Sequence, residues 1–89
     1  MVEWDRQKAV ANRLKHGVRF ADAVAVLADD LAITRLDDDP DEERYVTVGM
    51  DLLGRVLVVL YTWRGEEIRL ISARRAIPRE RRRYADRRS

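Results

Sequence analysis

Arg55-Val56-Leu57-Val58-Val59-Leu60-Tyr61-Thr62-Trp63-Arg64-Gly65-Glu66-Glu67-Ile68-Arg69-Leu70-Ile71-Ser72-Ala73-Arg74-Arg75 reads as two strands folded back on each other. Arg55–Thr62 is the most apolar stretch and predicts a central strand. Gly65 supplies the positive φ for a tight hairpin at Trp63–Glu66, and Glu67–Arg75 is the last strand. Upstream, Arg44–Met50 alternates as a further strand, with Asp51–Gly54 as its turn, and Leu31–Arg35 is a short edge strand. Between them, Asp37–Glu43 is a loop, because a run of like charges broken by Pro40 cannot pair in a sheet centre. The glycines at 17, 49, 54 and 65 all read as turn residues.

Helices flank this meander. Asp5 is an N-cap for a helix over Arg6–His16, which Gly17 stops. Val10, Ala11, Leu14 and Val18 form its narrow apolar stripe. Phe20, Ala23, Val24 and Leu27 are spaced for a second helix, closed by Asp29 and Asp30. Pro78 fits the first position of a final helix, Pro78–Arg87. The expected architecture is α+β: two N-terminal helices, an antiparallel sheet of 3–4 strands and a C-terminal helix, in one domain over residues 1–89.

Composition narrows the function. The chain has 18 Lys+Arg, 16 Asp+Glu, one His and no Cys. Without cysteine there is no disulfide framework and no thiolate nucleophile, and one His with no Cys cannot make a zinc site. Asp37, Asp39 and Asp41 imitate the start of a calcium loop, but Glu42 stands where Gly is required and Val48 where a bidentate Glu belongs. No metal or other cofactor is expected. No apolar run approaches a membrane span, and no apolar stretch follows Glu3, Trp4 and Asp5 as a signal peptide would require, so the expected location is the cytoplasm.

Charge is unevenly spread. Residues 1–63 hold 8 basic and 12 acidic side chains; residues 64–89 hold 10 basic, all arginine, and 4 acidic. Guanidinium groups grip phosphate and carboxylate in a planar fork, so the C-terminal end suits a polyanion or an acidic partner. The alternative is a solvated helix face balanced by Asp37–Glu43. In a regular last strand Arg69 and Arg74 point to opposite faces, although a bulge near Ser72 would change that. Arg, Glu, Tyr and Ser clustered over Tyr61–Arg75 are the groups that metal-free RNA cleavage needs, with Trp63 available to stack a base. The competing reading of Glu67 and Arg69 is a cross-strand salt-bridge ladder.

Two blocks resemble a known family. Glu3-Trp4-Asp5, Lys8-Ala9, Asn12, Lys15-His16-Gly17-Val18, Phe20 and Ala23 form the first. Arg64-Gly65, Ile68–Ala76 and Arg79–Tyr84 form the second. Together they are similar to the BrnT family of bacterial toxins from type II toxin–antitoxin pairs. The resemblance implies a RelE-like fold and a metal-independent endoribonuclease that cleaves mRNA by 2′-OH attack and inhibits translation. It also implies a BrnA-type ribbon–helix–helix antitoxin, in a complex of two toxins and two antitoxins that reaches operator DNA only through the antitoxin. Carried over by position, Arg64, Arg69 and Arg74 would hold the phosphate. Glu67 would be the general base, with His16 competing. Lys15, Ser72, Arg79 and Tyr84 would contact RNA, Tyr84 having packing of the final helix as its plainer role. A non-catalytic module that only binds an antitoxin or DNA-binding partner is the alternative.

Overall fold

The ends of the first helix follow from the side chains found there. Asp5 has an extended backbone, and its Oδ1 accepts the N–H groups of Gln7 (2.8 Å) and Lys8 (3.1 Å). This satisfies two of the donors that a helix start leaves open, and these bonds hold the Asp5 carboxyl below its ordinary pKa. Gly17 ends the helix at φ 69°. The computed structural model describes residues 1–88. In it, β1 is Val2–Glu3, α1 Arg6–His16, α2 Phe20–Ala23, β2 Ile33–Leu36, β3 Tyr45–Met50, β4 Val56–Arg64, β5 Glu67–Arg75 and α3 Pro78–Arg88, with a 3₁₀ helix over Val24–Ala28 following α2.

The sheet has five strands in the order β1-β5-β4-β3-β2. It exceeds the expected 3–4 because Val2–Glu3 lies parallel to Ile68 and Arg69, so the sheet is mixed and not wholly antiparallel. Two residues carry no periodicity. They form a strand only because β5 offers a free edge, where the Ile68 N–H donates to the Met1 carbonyl at 3.0 Å. The hairpin between β4 and β5 turns through Gly65 and Glu66, with Arg64 opposite Glu67 and Gly65 at φ 61°. A positive φ at the first central residue alone is the type II′ pattern.

One face of the sheet carries Leu57, Val59, Tyr61, Leu70 and Ala73, and they form the main core with Val18, Phe20, Ala23 and Val26 from the helical side. A smaller cluster of Val46, Val58 and Ala76 lies apart from it.

The helices differ from expectation in two ways. Val18 is fully buried, but Val10 and Leu14 are 55% and 83% exposed, while Asn12 is buried. The Asn12 side chain forms hydrogen bonds with the backbone of Ala73 and Val18. Leaving each such buried group unpaired costs about 1–3 kcal/mol, which outweighs the roughly 1.5–3 kcal/mol from burying one leucine. The second helix keeps its start and then tightens into the 3₁₀ segment. The winding ends at Asp29, whose carboxylate accepts the N–H groups of Leu31 (3.0 Å) and Met50 (2.9 Å). Gly49 is not a turn residue but lies within β3, where the 3₁₀ helix and Ala32 crowd its Cα.

Candidate active site

The decisive local feature is an irregularity in β5. Leu60 is opposite Ser72, but its neighbour Tyr61 is opposite Leu70, so Ile71 is an extra residue. A bulge of this kind reverses the alternation beyond it. On β4, Val58, Leu60, Thr62 and Arg64 share the face away from the main core, and their partners are Arg74, Ser72, Arg69 and Glu67. The regular-strand expectation of Arg69 and Arg74 on opposite faces is thereby corrected: the bulge puts both on one face, with Glu67, Ser72 and Arg64.

Sharing a face is not sharing a phosphate. Val58 and Arg64 are six residues apart on β4, which at the usual strand rise is about 20 Å. Arg74 therefore lies at one end of the row and the Arg64–Glu67 pair at the other. Ser72 sits between Arg69 and Arg74, about 7 Å along the sheet from each, and Glu67 is about 13 Å from Ser72.

Arg69 and Arg74 each have a carboxylate beside them. Arg69 Nη1 lies 3.4 Å from Glu3 Oε1 across the β1–β5 pair. Arg74 is gripped more firmly, its two terminal nitrogens donating to the two oxygens of Glu80 at 2.9 and 3.0 Å. Glu80 also accepts the Ile77 N–H at 2.9 Å, as a third-position glutamate does in a capping box. The Arg74 hydrogen bonds hold the Glu80 carboxyl below its ordinary value and raise that of Arg74. Glu67 is half-exposed, with the Met1 amine 3.9 Å away.

The remaining candidates fall into separate places. Lys15 and His16, at the end of α1, line a shallow hollow at the sheet edge with Lys8, Asn12, Ile71 and Ser72. Arg79 lines another hollow with Ile33, Arg35, Val48, Glu80 and Arg83. Tyr84 is 3% exposed and its hydroxyl donates to Asp29, so it packs α3 against the chain beyond the 3₁₀ helix. Tyr61 is likewise buried, stacked on Tyr45 and hydrogen-bonded to Thr47. Trp63 is half-exposed opposite Ile68, away from the Arg69–Arg74 face. The acidic loop is tied down locally by Arg44, which pairs with Asp37, Asp39 and Glu42.

Three important residues escaped the sequence reading. Asn12 stood in the first family block, but a polar residue in mid-helix told nothing of its role. Glu80 was legible, as an acid two residues after a helix-initiating proline. Arg35 was hidden by its place in an edge strand. Among the described residues, no group of three His, Cys, Asp or Glu side chains could hold a metal ion, and no helix is long and apolar enough to cross a membrane.

A family model described as the ribonuclease toxin BrnT of a type II toxin–antitoxin system matches residues 4–80. The chain belongs to the BrnT family. The fold agrees: the structure resembles the 1.1 Å crystal structure of the Brucella abortus ribonuclease toxin BrnT with a TM-score of 0.65 and 25% sequence identity. The match covers 85% of this chain and 95% of the Brucella chain. No curated protein sequence matches significantly. As a BrnT-family ribonuclease toxin of a type II system, the chain has an antitoxin as partner.

Proposed function

We propose that this BrnT-family toxin is a RelE-like, metal-independent endoribonuclease that cuts mRNA in the cytoplasm and so stops translation. The observation that carries this reading is the bulge at Ile71, which sets Arg69 and Arg74 on either side of Ser72 on one face. An RNA phosphate over Ser72 lies within reach of both guanidiniums. Arg69, paired loosely with Glu3, turns readily to a phosphate oxygen. Arg74 is held by Glu80 and contributes its charge to the phosphate by exchanging one of those two bonds for a phosphate oxygen. Charge aimed where it develops in the transition state is worth about 10²–10³ in rate.

The base is His16. It shares the edge hollow with Ser72, whereas Glu67 is about 13 Å along the strand. The imidazole takes the ribose 2′-OH proton, the 2′ oxygen attacks phosphorus, and the P–O5′ bond breaks. The leaving 5′ oxygen takes a proton from Lys15, giving a 2′,3′-cyclic phosphate and a 5′-hydroxyl. Glu67 and Arg64 lie farther along the RNA path and position it.

Purified protein incubated with single-stranded RNA tests this. Cleavage is expected to yield a 2′,3′-cyclic phosphate and to persist in EDTA. His16→Ala should slow it by about 10²–10⁴, and Glu67→Gln by less than about tenfold. A wild-type protein that leaves RNA intact, or a His16→Ala variant as fast as wild type, refutes the reading.

The partner fits a BrnA-type ribbon–helix–helix antitoxin in a complex of two toxins and two antitoxins, which reaches operator DNA through the antitoxin alone. Support comes from the outward Val10–Leu14 stripe of α1, an apolar surface that a partner would remove from water. Light scattering on the co-purified pair measures the stoichiometry; a complex mass other than that of two plus two rejects it.

A further inference from the structure

The hollow between α3 and the β2–β3 edge has a composition that stability does not explain. Its floor is the cross-strand pair Ile33 and Val48, and its rim is Arg35, Arg79 and Arg83. The carboxylate on that rim, Glu80, is already engaged by Arg74. Among the described residues, neither Arg79 nor Arg83 forms an ion pair, and Arg35 donates only to the Leu36 carbonyl. Arg79 and Arg83 stand four apart on α3, a spacing at which like charges repel. Arg79 also occupies the first turn, where the helix dipole disfavours a cation. Arg35 and Arg79 feel the carboxylates of Asp37 and Glu80 only at longer range. Three guanidiniums without a direct ion pair thus surround an aliphatic floor, an arrangement that suits a ligand both flat and anionic.

We propose that this hollow is a nucleotide subsite: a base of the RNA lies on Ile33 and Val48, and Arg35, Arg79 and Arg83 hold the phosphate beside it. At about 160 Å³ the space takes a planar ring and not merely a water. Glu80 links the two places, because its carboxylate lines the hollow while gripping Arg74. The subsite therefore accepts a nucleotide flanking the one cut at Ser72, and the inference rests on the ribonuclease reading above. The chemistry fits RNA better than an acidic peptide, since carboxylate side chains would use the rim and leave the aliphatic floor empty.

Binding of a fluorescent 2′-O-methyl RNA oligonucleotide, which cannot be cleaved, tests the subsite. Arg35→Gln and Arg83→Gln should each weaken binding about tenfold, and each should reduce the slope of log K against log salt by about 0.7. An abasic nucleotide in the flanking position should weaken wild-type binding and not that of a variant carrying both Arg35→Gln and Arg83→Gln. Arg6→Gln and Arg13→Gln, on α1 beside Trp4 and Phe20 and away from this hollow, are controls expected to bind as wild type. If the Arg35 and Arg83 variants bind RNA like these controls, the subsite is overturned, and all the more if they lose the antitoxin instead. If wild type binds the oligonucleotide with this arginine dependence yet never cuts unmodified RNA, the subsite stands and the ribonuclease mechanism fails. If wild type binds no RNA, both fall.

Discussion

Asn12 takes the place of a missing strand beside Ala73. Its Nδ2 donates to the Ala73 carbonyl at 2.8 Å, and the Ala73 N–H donates to its Oδ1 at 3.0 Å. β1 pairs with β5 only at Ile68 and Arg69, so the exposed edge farther along is completed by a side-chain amide from α1. The same Nδ2 donates to the Val18 carbonyl at 3.0 Å and fastens the turn that leads into α2. Asn12→Ala leaves three buried backbone groups unpaired and should lower stability by about 3 kcal/mol. Asn12→Asp should be worse, since an acceptor would then face two carbonyls. Urea denaturation measures both.

Leu14 gives the opposite expectation. It is 83% exposed, so Leu14→Ser should change the unfolding free energy by less than about 0.5 kcal/mol. Leu57, fully buried, should cost about 2–5 kcal/mol on truncation to alanine. Equal losses at the two positions would show that α1 docks by its Val10–Leu14 stripe after all.

Arg74 and Glu80 make stability depend on acid. The Arg74 hydrogen bonds and the Ile77 N–H hold the folded Glu80 below its ordinary value of 4.5. The unfolded chain therefore takes up its proton first as pH falls. The contribution is complete above about pH 4.5 and disappears as pH drops through the lowered folded value. Glu80→Gln should be less stable than wild type by about 1–2 kcal/mol at pH 7, with the gap closing under acid. Thermal melts of both proteins from pH 7 to pH 2 follow it; a constant gap contradicts the pairing.

Gly49 lets the 3₁₀ helix lie close to β3. An added Cβ would meet Ala32 Cβ at 3.0 Å, Val26 Cγ1 at 3.1 Å and Asp29 Oδ2 at 3.2 Å. Gly49→Ala should therefore cost about 1–3 kcal/mol by overpacking, whereas Gly54→Ala should cost through its φ of 80° alone. In the alanine variant of Gly49, hydrogen exchange at the Met50 amide, which donates to Asp29, should speed up.

Local chemistry was legible wherever one residue or a short pattern carries it. Asp5 and Gly17 bound α1 because a carboxylate before a helix and a glycine after it satisfy backbone groups within a few residues. Gly65 placed the hairpin, and Glu67–Arg75 has the bounds that its alternation predicted. What depends on distant partners was not legible. β1 exists because β5 has an edge to fill, and α1 is rotated because Asn12 is needed there more than Leu14 is needed in the core. The arginines of β5 read as a cluster in sequence, but strand rise spreads them over a whole face.

The sequence by itself determined the order of the elements from α1 onward, the α+β class, the basic C-terminal third and the family. These rest on capping, turn and alternation signals that act over a few residues, and on motifs read in order. Only the tertiary structure decided that Arg69, Ser72 and Arg74 share a face, that His16 borders Ser72, and that Arg35 joins Arg79 and Arg83. A bulge becomes visible only when two strands are paired and one has a residue too many. A hollow between α3 and β2 forms only when segments more than forty residues apart in the chain pack together.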